Sequence, residues 1–523
     1  MLKRKSDIYR LLKGVSYSWI RFVLTIGIGI FQTPLLFKYL NKEEISFWYI
    51  FYALGAFLQM ADLGLVQTIS RLIAYIDTTK DDRFDNDLIS KLAYYSVKQI
   101  YATSLISFSI ILVLIGTVSL IIYVHIYDLS KHSINLEISF LIYIIGVIFS
   151  LISNIPAAIL IGYRDVGIDS GIRSISQIIY FILLFFLLPH YQSIIFVTSC
   201  FALQNFLQFY SIHKFLCKKY KHQVDGKSLF KLDNIKIDIA NQIYKQSLPL
   251  ALTQLGAWLI SQGNIFVASI IVGANAISDY AINQQIFLYI TSISLVINQS
   301  LGPFIARYHS KNEKEAIKLL FNSTMILCLS IVSILIIIEI NCAPNIMSLW
   351  VGSDHFLGNS FSIVFGIITF LEVQHSIAGN FVWNTGSWPF NKWTLIAGLL
   401  TVGLGYFLGK YNGLFGIALA TLISRLITLN WYVMYYTLKR LNVLFSSYIK
   451  QILLPILLIT YATYYMTNVI YQLINENMTD IVNILLIAIL SFIVFVSLTG
   501  ILFRKSIQFI YNTIVLPKIE HKI

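Results

Sequence analysis

Charge is what this sequence has least of: Asp, Glu, Lys and Arg make up 12% of its 523 residues, while apolar residues make up 57%. A water-soluble protein carries about 25% charged residues, so this chain has too few ionic groups to cover a soluble surface. That excludes the three or so soluble domains that length alone suggests. Cysteine is scarce as well. Cys200, Cys217, Cys328 and Cys342 show no Cys-x-x-Cys spacing, which excludes a disulfide framework and a thiolate metal centre, and no cofactor is expected. The nine prolines and 27 glycines are too few for a collagenous or low-complexity chain. There is no Gly-x-x-x-x-Gly-Lys-Ser/Thr loop. The nearest approach, at Gly409-Lys410, has Leu404 and Tyr411 in two diagnostic places, so ATP hydrolysis on a phosphate loop is excluded.

Long apolar runs are what the sequence has in abundance. A bilayer core of ~30 Å needs about 20 apolar residues per helix, and fourteen such runs fall at 14–37, 45–70, 100–124, 137–161, 172–189, 193–213, 247–272, 280–305, 317–341, 357–382, 392–409, 413–437, 451–472 and 481–503. The predicted fold class is an all-α polytopic membrane protein of about fourteen transmembrane helices. The first run follows a basic stretch, as in a signal peptide, but it contains Arg21 and lacks an Ala-x-Ala-like cleavage site, so it reads as an uncleaved span. No outer segment is long enough to fold as a domain, which argues against a membrane glycosyltransferase or polymerase. The chain is not expected to be an enzyme.

With the N-terminus placed in the cytoplasm, 32 of the 38 lysines and arginines fall on inner segments and only Lys38, Lys42, Lys131 and Lys410 on outer ones. One missed helix would invert every later loop, so this bias supports the span count and puts both termini in the cytoplasm. The net charge of +13 is then topological, and no nucleic-acid partner is expected.

The longest polar stretch divides the chain. Residues 1–213 and 247–440 read as two six-helix lobes, 214–246 as a basic amphipathic linker suited to the inner leaflet, and 441–523 as two extra helices with a cytoplasmic tail. Ile45-Ser46-Phe47-Trp48 and Ile277-Ser278-Asp279-Tyr280 open corresponding spans. An even number of spans per half makes such a repeat parallel, about an axis along the membrane normal.

A charge at the bilayer centre costs ~2.5–3.5 kcal/mol on insertion scales and needs a partner, a wet cavity or a function. Arg21 and Arg425 lie within spans, and guanidinium forks match phosphate oxygens, so they are candidates for binding an anionic substrate; the alternative is that each is tied to a carboxylate. Arg71, Arg307 and Lys392, at inner ends, are candidates for guiding an anionic headgroup. Glu372 and His375 share one face of a helix and form a candidate coupling pair. Asp62 is a further candidate, or a counter-ion for Arg21 or Arg71. Glu339 is expected to reach the interface. The amides of Gln204, Asn205, Asn264, Asn283, Asn298, Asn380 and Asn384 suit either sugar hydroxyls or interhelical bonding.

Several segments carry a family likeness: Pro34 followed by Leu40-Asn41-Lys42-Glu43-Glu44-Ile45-Ser46-Phe47-Trp48, Asp62-Leu63-Gly64-Leu65 with Arg71, Ile161-Gly162-Tyr163-Arg164, Gly302-Pro303-Phe304-Ile305-Ala306, and Gly413 to Ser424. In these the chain resembles polysaccharide transporters, the O-antigen-type lipid-linked oligosaccharide flippases of the multidrug and oligosaccharidyl-lipid exporter superfamily. Asn41 and Ser46 replace family glycines, and Asn264 stands where an aspartate is common. The resemblance implies two six-helix lobes around a cationic cavity in a bacterial cytoplasmic (inner) membrane. It also implies alternating-access transport of a polyprenyl-pyrophosphate-linked glycan, driven by protons, sodium or the membrane potential, with a polysaccharide polymerase and a chain-length regulator as partners. The alternatives are a cation-coupled multidrug exporter of the same superfamily and a peptidoglycan lipid-precursor flippase.

Overall fold

The computed structural model describes residues 2–62, 65–78, 96–129, 133–221, 236–273, 276–385, 389–474 and 478–503. Among them every regular element is helical. Two compact units share the chain, Met1–Trp258 with Gly273–Asn275, and Leu259–Val272 with Ala276–Ile523.

The first unit contains α1 (Leu2–Tyr39), α2 (Lys42–Gln59), α3 (Leu65–Thr78), α4 (Val97–Leu129), α5 (Ile134–Gly162), α6 (Val166–Tyr191), α7 (Ile194–Lys219) and most of α8 (Ile237–Ser261). Helices α1 and α6 run parallel, because their bonded residues ascend together: Ser18 with Ser170 at 3.1 Å, Thr25 with Gln177 at 3.1 Å, and Gln32 with Tyr180 at 2.9 Å. Asn41, one of the two departures from the family pattern, starts α2. Its side chain accepts from the Glu44 N–H at 2.8 Å while the Glu44 carboxylate accepts from the Asn41 N–H at 3.2 Å, a reciprocal cap that a glycine has no side chain to make. The other Glu44 oxygen accepts from the Ile194 N–H at 3.1 Å, tying the start of α2 to the start of α7.

Small residues set the helix spacing, as expected where apolar lipid offers little drive for association. A Cβ on Gly162 would lie 2.5 Å from Ile73 Cβ and 2.8 Å from the Ser70 carbonyl oxygen, so the glycine of Ile161-Gly162-Tyr163-Arg164 is where α5 touches α3. Gly162→Ala is expected to cost about 1–3 kcal/mol, measured as a lower melting temperature of the detergent-solubilised protein.

The second unit holds α9 (Gly263–Ile271), α10 (Ile277–Ser300), α11 (Gly302–Ser310), α12 (Lys314–Trp350), α13 (Asn359–Trp383), α14 (Asn391–Ile427), α15 (Leu429–Arg440), α16 (Phe445–Tyr448), α17 (Leu454–Ile474) and α18 (Asp480–Leu502). Helix α14 is broken at Asn412 and at Gly413, which has φ +55°. The chain reverses there. Thr401 and Ser424 oxygens meet at 2.5 Å, and a Cβ on Gly416 would strike the Leu408 carbonyl. The Gly413-Leu414-Phe415-Gly416 motif is therefore the turn of a helical hairpin, with a left-handed residue at one glycine and backbone contact at the other. A Cβ on Gly263 would meet Val402 at 2.9 Å and one on Gly409 would meet Ile271 at 2.8 Å, so α9 runs parallel to the first arm of α14, as α1 does to α6. Ser46 and Ser278, the matching serines of the suggested repeat, are both fully buried.

Helices α17 and α18 are built into this unit through α12: Thr460 donates to Ser333 at 3.0 Å, Asn341 to Thr467 at 2.9 Å and Asn345 to Asp480 at 2.6 Å. Among the described residues ten helices are long and apolar enough to cross a membrane, or eleven if Ala251–Ser261 and Gly263–Ile271 form one bent span. That is fewer than the fourteen expected, in part because the 391–440 stretch counts as one span although it contains the turn at Gly413. The middle of the proposed linker, 222–235, and the tail from 504 lie outside the described residues.

Candidate functional site

In the first unit the parallel packing of α1 on α6 brings Arg21 to Asp169, Nη1 to Oδ2, at 3.7 Å. Arg173, one turn further along α6, holds the other Asp169 oxygen at 2.8 Å and also donates to Asn154 at 3.0 Å and Gln208 at 3.4 Å. Two guanidinium groups thus share one carboxylate. Asp169 is 5% exposed and Arg173 8%, whereas the Arg21 side chain is 38% exposed and stands beyond hydrogen-bond distance of the acid. Arg21, Arg173 and Asp169 by themselves sum to one positive charge, Asp62 also acts electrostatically on Arg173, and Arg21 is the accessible arginine.

Asp62 is not the counter-ion of Arg21. Its Oδ1 accepts from the Val66 N–H at 3.2 Å, capping the start of α3. The Arg71 side chain lies outside the described residues. Arg307, near the end of α11, and Lys392, at the start of α14, are exposed, and neither joins an ion pair among the described residues.

In the second unit Arg425 Nη1 pairs with Glu372 Oε2. Glu372 Oε1 accepts from Ser376 at 3.0 Å, and Arg425 Nε is buried without a hydrogen-bond partner. The substrate candidate and the coupling candidate are thus one ion pair. Glu372 is thus engaged by Arg425 and Ser376, and no direct hydrogen bond joins it to His375 among the described residues. His375 lies within electrostatic range of both groups. Glu339 does not reach an interface: it is 4% exposed, and its Oε1 accepts from Ser362 at 2.9 Å.

Most of the candidate amides bond other protein groups. Asn380 donates to Asn298, backbone and side chain, at 2.8 and 3.0 Å, and Asn283 donates to the His355 carbonyl at 2.7 Å. Asn264 donates to Tyr280 at 3.2 Å and Thr421 at 2.6 Å. These amides join helices, the second of the two readings open to them.

The second unit also opens a groove of about 450 Å³ between α12, α13, α15 and the α16–α17 segment, whose lining includes neither Glu372 nor Arg425. Its walls are mostly apolar, including Ile336, Ile340, Ile363, Ile367 and Leu457. They also include Leu371 and Leu426, the chain neighbours of Glu372 and Arg425.

Sequence reasoning missed Asp169 and Arg173. Arg173 was counted with the inner-end charges, although an acid and a base four residues apart at the start of an apolar run signal a self-paired buried charge. The groove had no sequence signal, because its walls are ordinary apolar residues from several helices.

No protein-family model matches the chain, and no curated protein matches it in sequence. Solved structures do match. A lipid II flippase MurJ in an inward closed conformation superposes with TM-score 0.67 at 16% identity, over 94% of this chain and 99% of its own. An inward-facing multidrug resistance MATE family transporter of the MOP superfamily matches with TM-score 0.58 at 15% identity, over 83% and 98%. A MATE transporter of Vibrio cholerae matches with TM-score 0.52 at 14% identity, over 84% and 98%. The chain has the helical fold that these transporters share.

Proposed function

We propose that the protein is a flippase that moves a polyprenyl-pyrophosphate-linked oligosaccharide, a surface-polysaccharide repeat unit such as that of O-antigen, from the inner to the outer leaflet of a bacterial cytoplasmic membrane by alternating access, with both termini in the cytoplasm. One observation carries this reading: a single unit holds both an apolar groove and, on the same helices α13 and α14, a charged pair that does not itself line the groove. A polyprenyl chain is apolar along its length and ends in an anion, and the groove offers apolar walls whose members Leu371 and Leu426 adjoin Glu372 and Arg425. The tail stays in the groove while pyrophosphate exchanges with Glu372 for the Arg425 guanidinium. Arg21, the accessible arginine of the first unit, is a separate candidate for an anion. Residues of this chain bind and release; no covalent step is required, so the protein is not an enzyme. The membrane potential contributes ~2.3 kcal/mol per charge per 100 mV to moving the anionic headgroup outward, and proton or sodium counterflow supplies the remaining drive.

The likeness to the lipid II flippase over 94% of the chain favours a second reading, transport of a peptidoglycan precursor, which shares the polyprenyl-pyrophosphate anchor. Depletion in the native host separates the two. Loss of surface polysaccharide with lipid-linked repeat units retained inside supports the first, and cell lysis supports the second. Intact glycan with new drug sensitivity returns the protein to the multidrug exporters. Ile367→Trp, which fills the groove from a half-exposed position, is expected to lower translocation of fluorescent lipid-linked oligosaccharide in proteoliposomes at least tenfold at unchanged expression. Full activity in that variant would remove the groove from the pathway.

A further inference from the structure

A second, smaller cavity of about 120 Å³ lies in the second unit, where α11 ends, α12 begins, and α13 and α15 end. Its floor is apolar, with Ile317, Phe381 and Leu441, and its rim carries His309, Lys314 and Arg440. Among the described residues no carboxylate lines it. Of the two acids that flank Lys314 in sequence, Glu313 faces Lys311 at 3.9 Å, and Glu315 is exposed and does not line the cavity.

Basic side chains at helix ends often serve only to cover the last carbonyl groups. Here the backbone covers most of them. Helices α11 and α15 end in the same way, at Asn312 with φ +58° and Asn442 with φ +52°. In α11 the Asn312 and Glu313 N–H groups donate back to His309 and Tyr308 carbonyls, both at 3.0 Å. In α15 those of Asn442 and Val443 donate to Lys439 and Leu438 carbonyls at 3.2 and 2.9 Å. Arg440 donates to the Thr385 carbonyl at 3.1 Å beyond the end of α13. Lys314 and His309 have no such task, and both are exposed. The positive dipole end of α12, which begins at Lys314, is offset by the negative ends of α11, α13 and α15, so the basic side chains supply the positive charge of the cavity.

We propose that this cavity binds the phosphate of an anionic phospholipid headgroup, with Lys314, His309 and Arg440 around the phosphate and the glycerol backbone against Ile317, Phe381 and Leu441. The volume exceeds the ~10–15 Å³ that one water needs and accommodates a phosphate. The apolar floor favours a lipid over a free ion. On the orientation proposed above, the cavity lies at the inner leaflet, where anionic lipids attract basic groups. The site is separate from the transport groove and from Arg425, so its occupant anchors the second unit to the leaflet and is not carried across.

The test is native mass spectrometry of the full-length protein titrated with dioleoyl-phosphatidylglycerol, dioleoyl-phosphatidylcholine and inorganic phosphate. The variants are Lys314→Gln, His309→Gln and their double. Lys410→Gln, which removes one charge at an exposed position outside the cavity, is the control. The expected result is a roughly tenfold weaker first phosphatidylglycerol association in the double variant, unchanged affinity in the control, and phosphatidylcholine indifferent to all of them. Equal phosphatidylglycerol affinity in wild type and double variant overturns the site. An equal loss in Lys410→Gln shows a general charge effect and also overturns it. Inorganic phosphate that associates in a Lys314-dependent way while phosphatidylglycerol does not overturns the lipid assignment. None of these outcomes depends on transport, so this proposal and the flippase reading fail separately.

Discussion

Replacing Asp169 by asparagine will sharply lower the yield of folded protein. Arg173 is 8% exposed and its main charge partner is Asp169, and stripping one member from a buried ion pair typically costs about 3–5 kcal/mol. The loss appears as aggregation on size-exclusion chromatography and as a lower melting temperature. Asp169→Leu combined with Arg173→Met removes both charges and is expected to restore most of the folded yield, because the penalty comes from the orphaned charge. Arg173→Gln separates folding from function. With Arg173 gone, Asp169 is free to draw in Arg21, and translocation should fall although Arg21 is still present. A variant that keeps folded yield and full transport would show that the charge at Arg21 has no part in substrate binding.

The second large effect concerns Arg425. Arg425→Ala should nearly abolish translocation, with partial recovery in Arg425→Lys, which keeps the charge and loses the fork. Glu372→Gln leaves the arginine, 12% exposed by side chain, without its charge partner, at a cost of about 1.5–3 kcal/mol for a lost charge-assisted hydrogen bond. The double variant Glu372→Gln with Arg425→Gln has no unpaired charge and should fold normally while transporting nothing. That combination decides between a structural pair and a binding site. If the double variant moves lipid-linked oligosaccharide at the wild-type rate, the pair serves only to hold α13 against α14.

The fold was legible in the sequence where the bilayer imposes a rule on every residue of a segment. Run length marked the helices, and the break between the runs 392–409 and 413–437 falls where the structure turns, at Asn412 and Gly413. The candidate sites were legible only as a set of expensive charges. Run length says that Arg21 and Arg425 need partners and says nothing about which, because each carboxylate arrives from a helix far along the chain: Asp169 for the first and Glu372 for the second. Asp62 was the nearer acid in sequence and proved to be a helix cap, since local capping satisfies an aspartate as well as an ion pair does. Glu339 was judged by its place near a helix end. Its burial against Ser362 depends on helix packing, which a single helix does not encode.

The parallel pairing of α1 with α6 also sets an order of events during synthesis. Arg21 emerges in the first helix, and Asp169 follows about 150 residues later, which at roughly 5–20 residues per second is a delay on the order of ten to thirty seconds. Through that interval the arginine sits in the membrane without its acid and draws its head toward the nearer surface. Arrival of α6 gives it an inward partner, so completion of the first bundle is timed by translation of its fifth span, and a ribosome paused between α1 and α6 holds the charge at the surface.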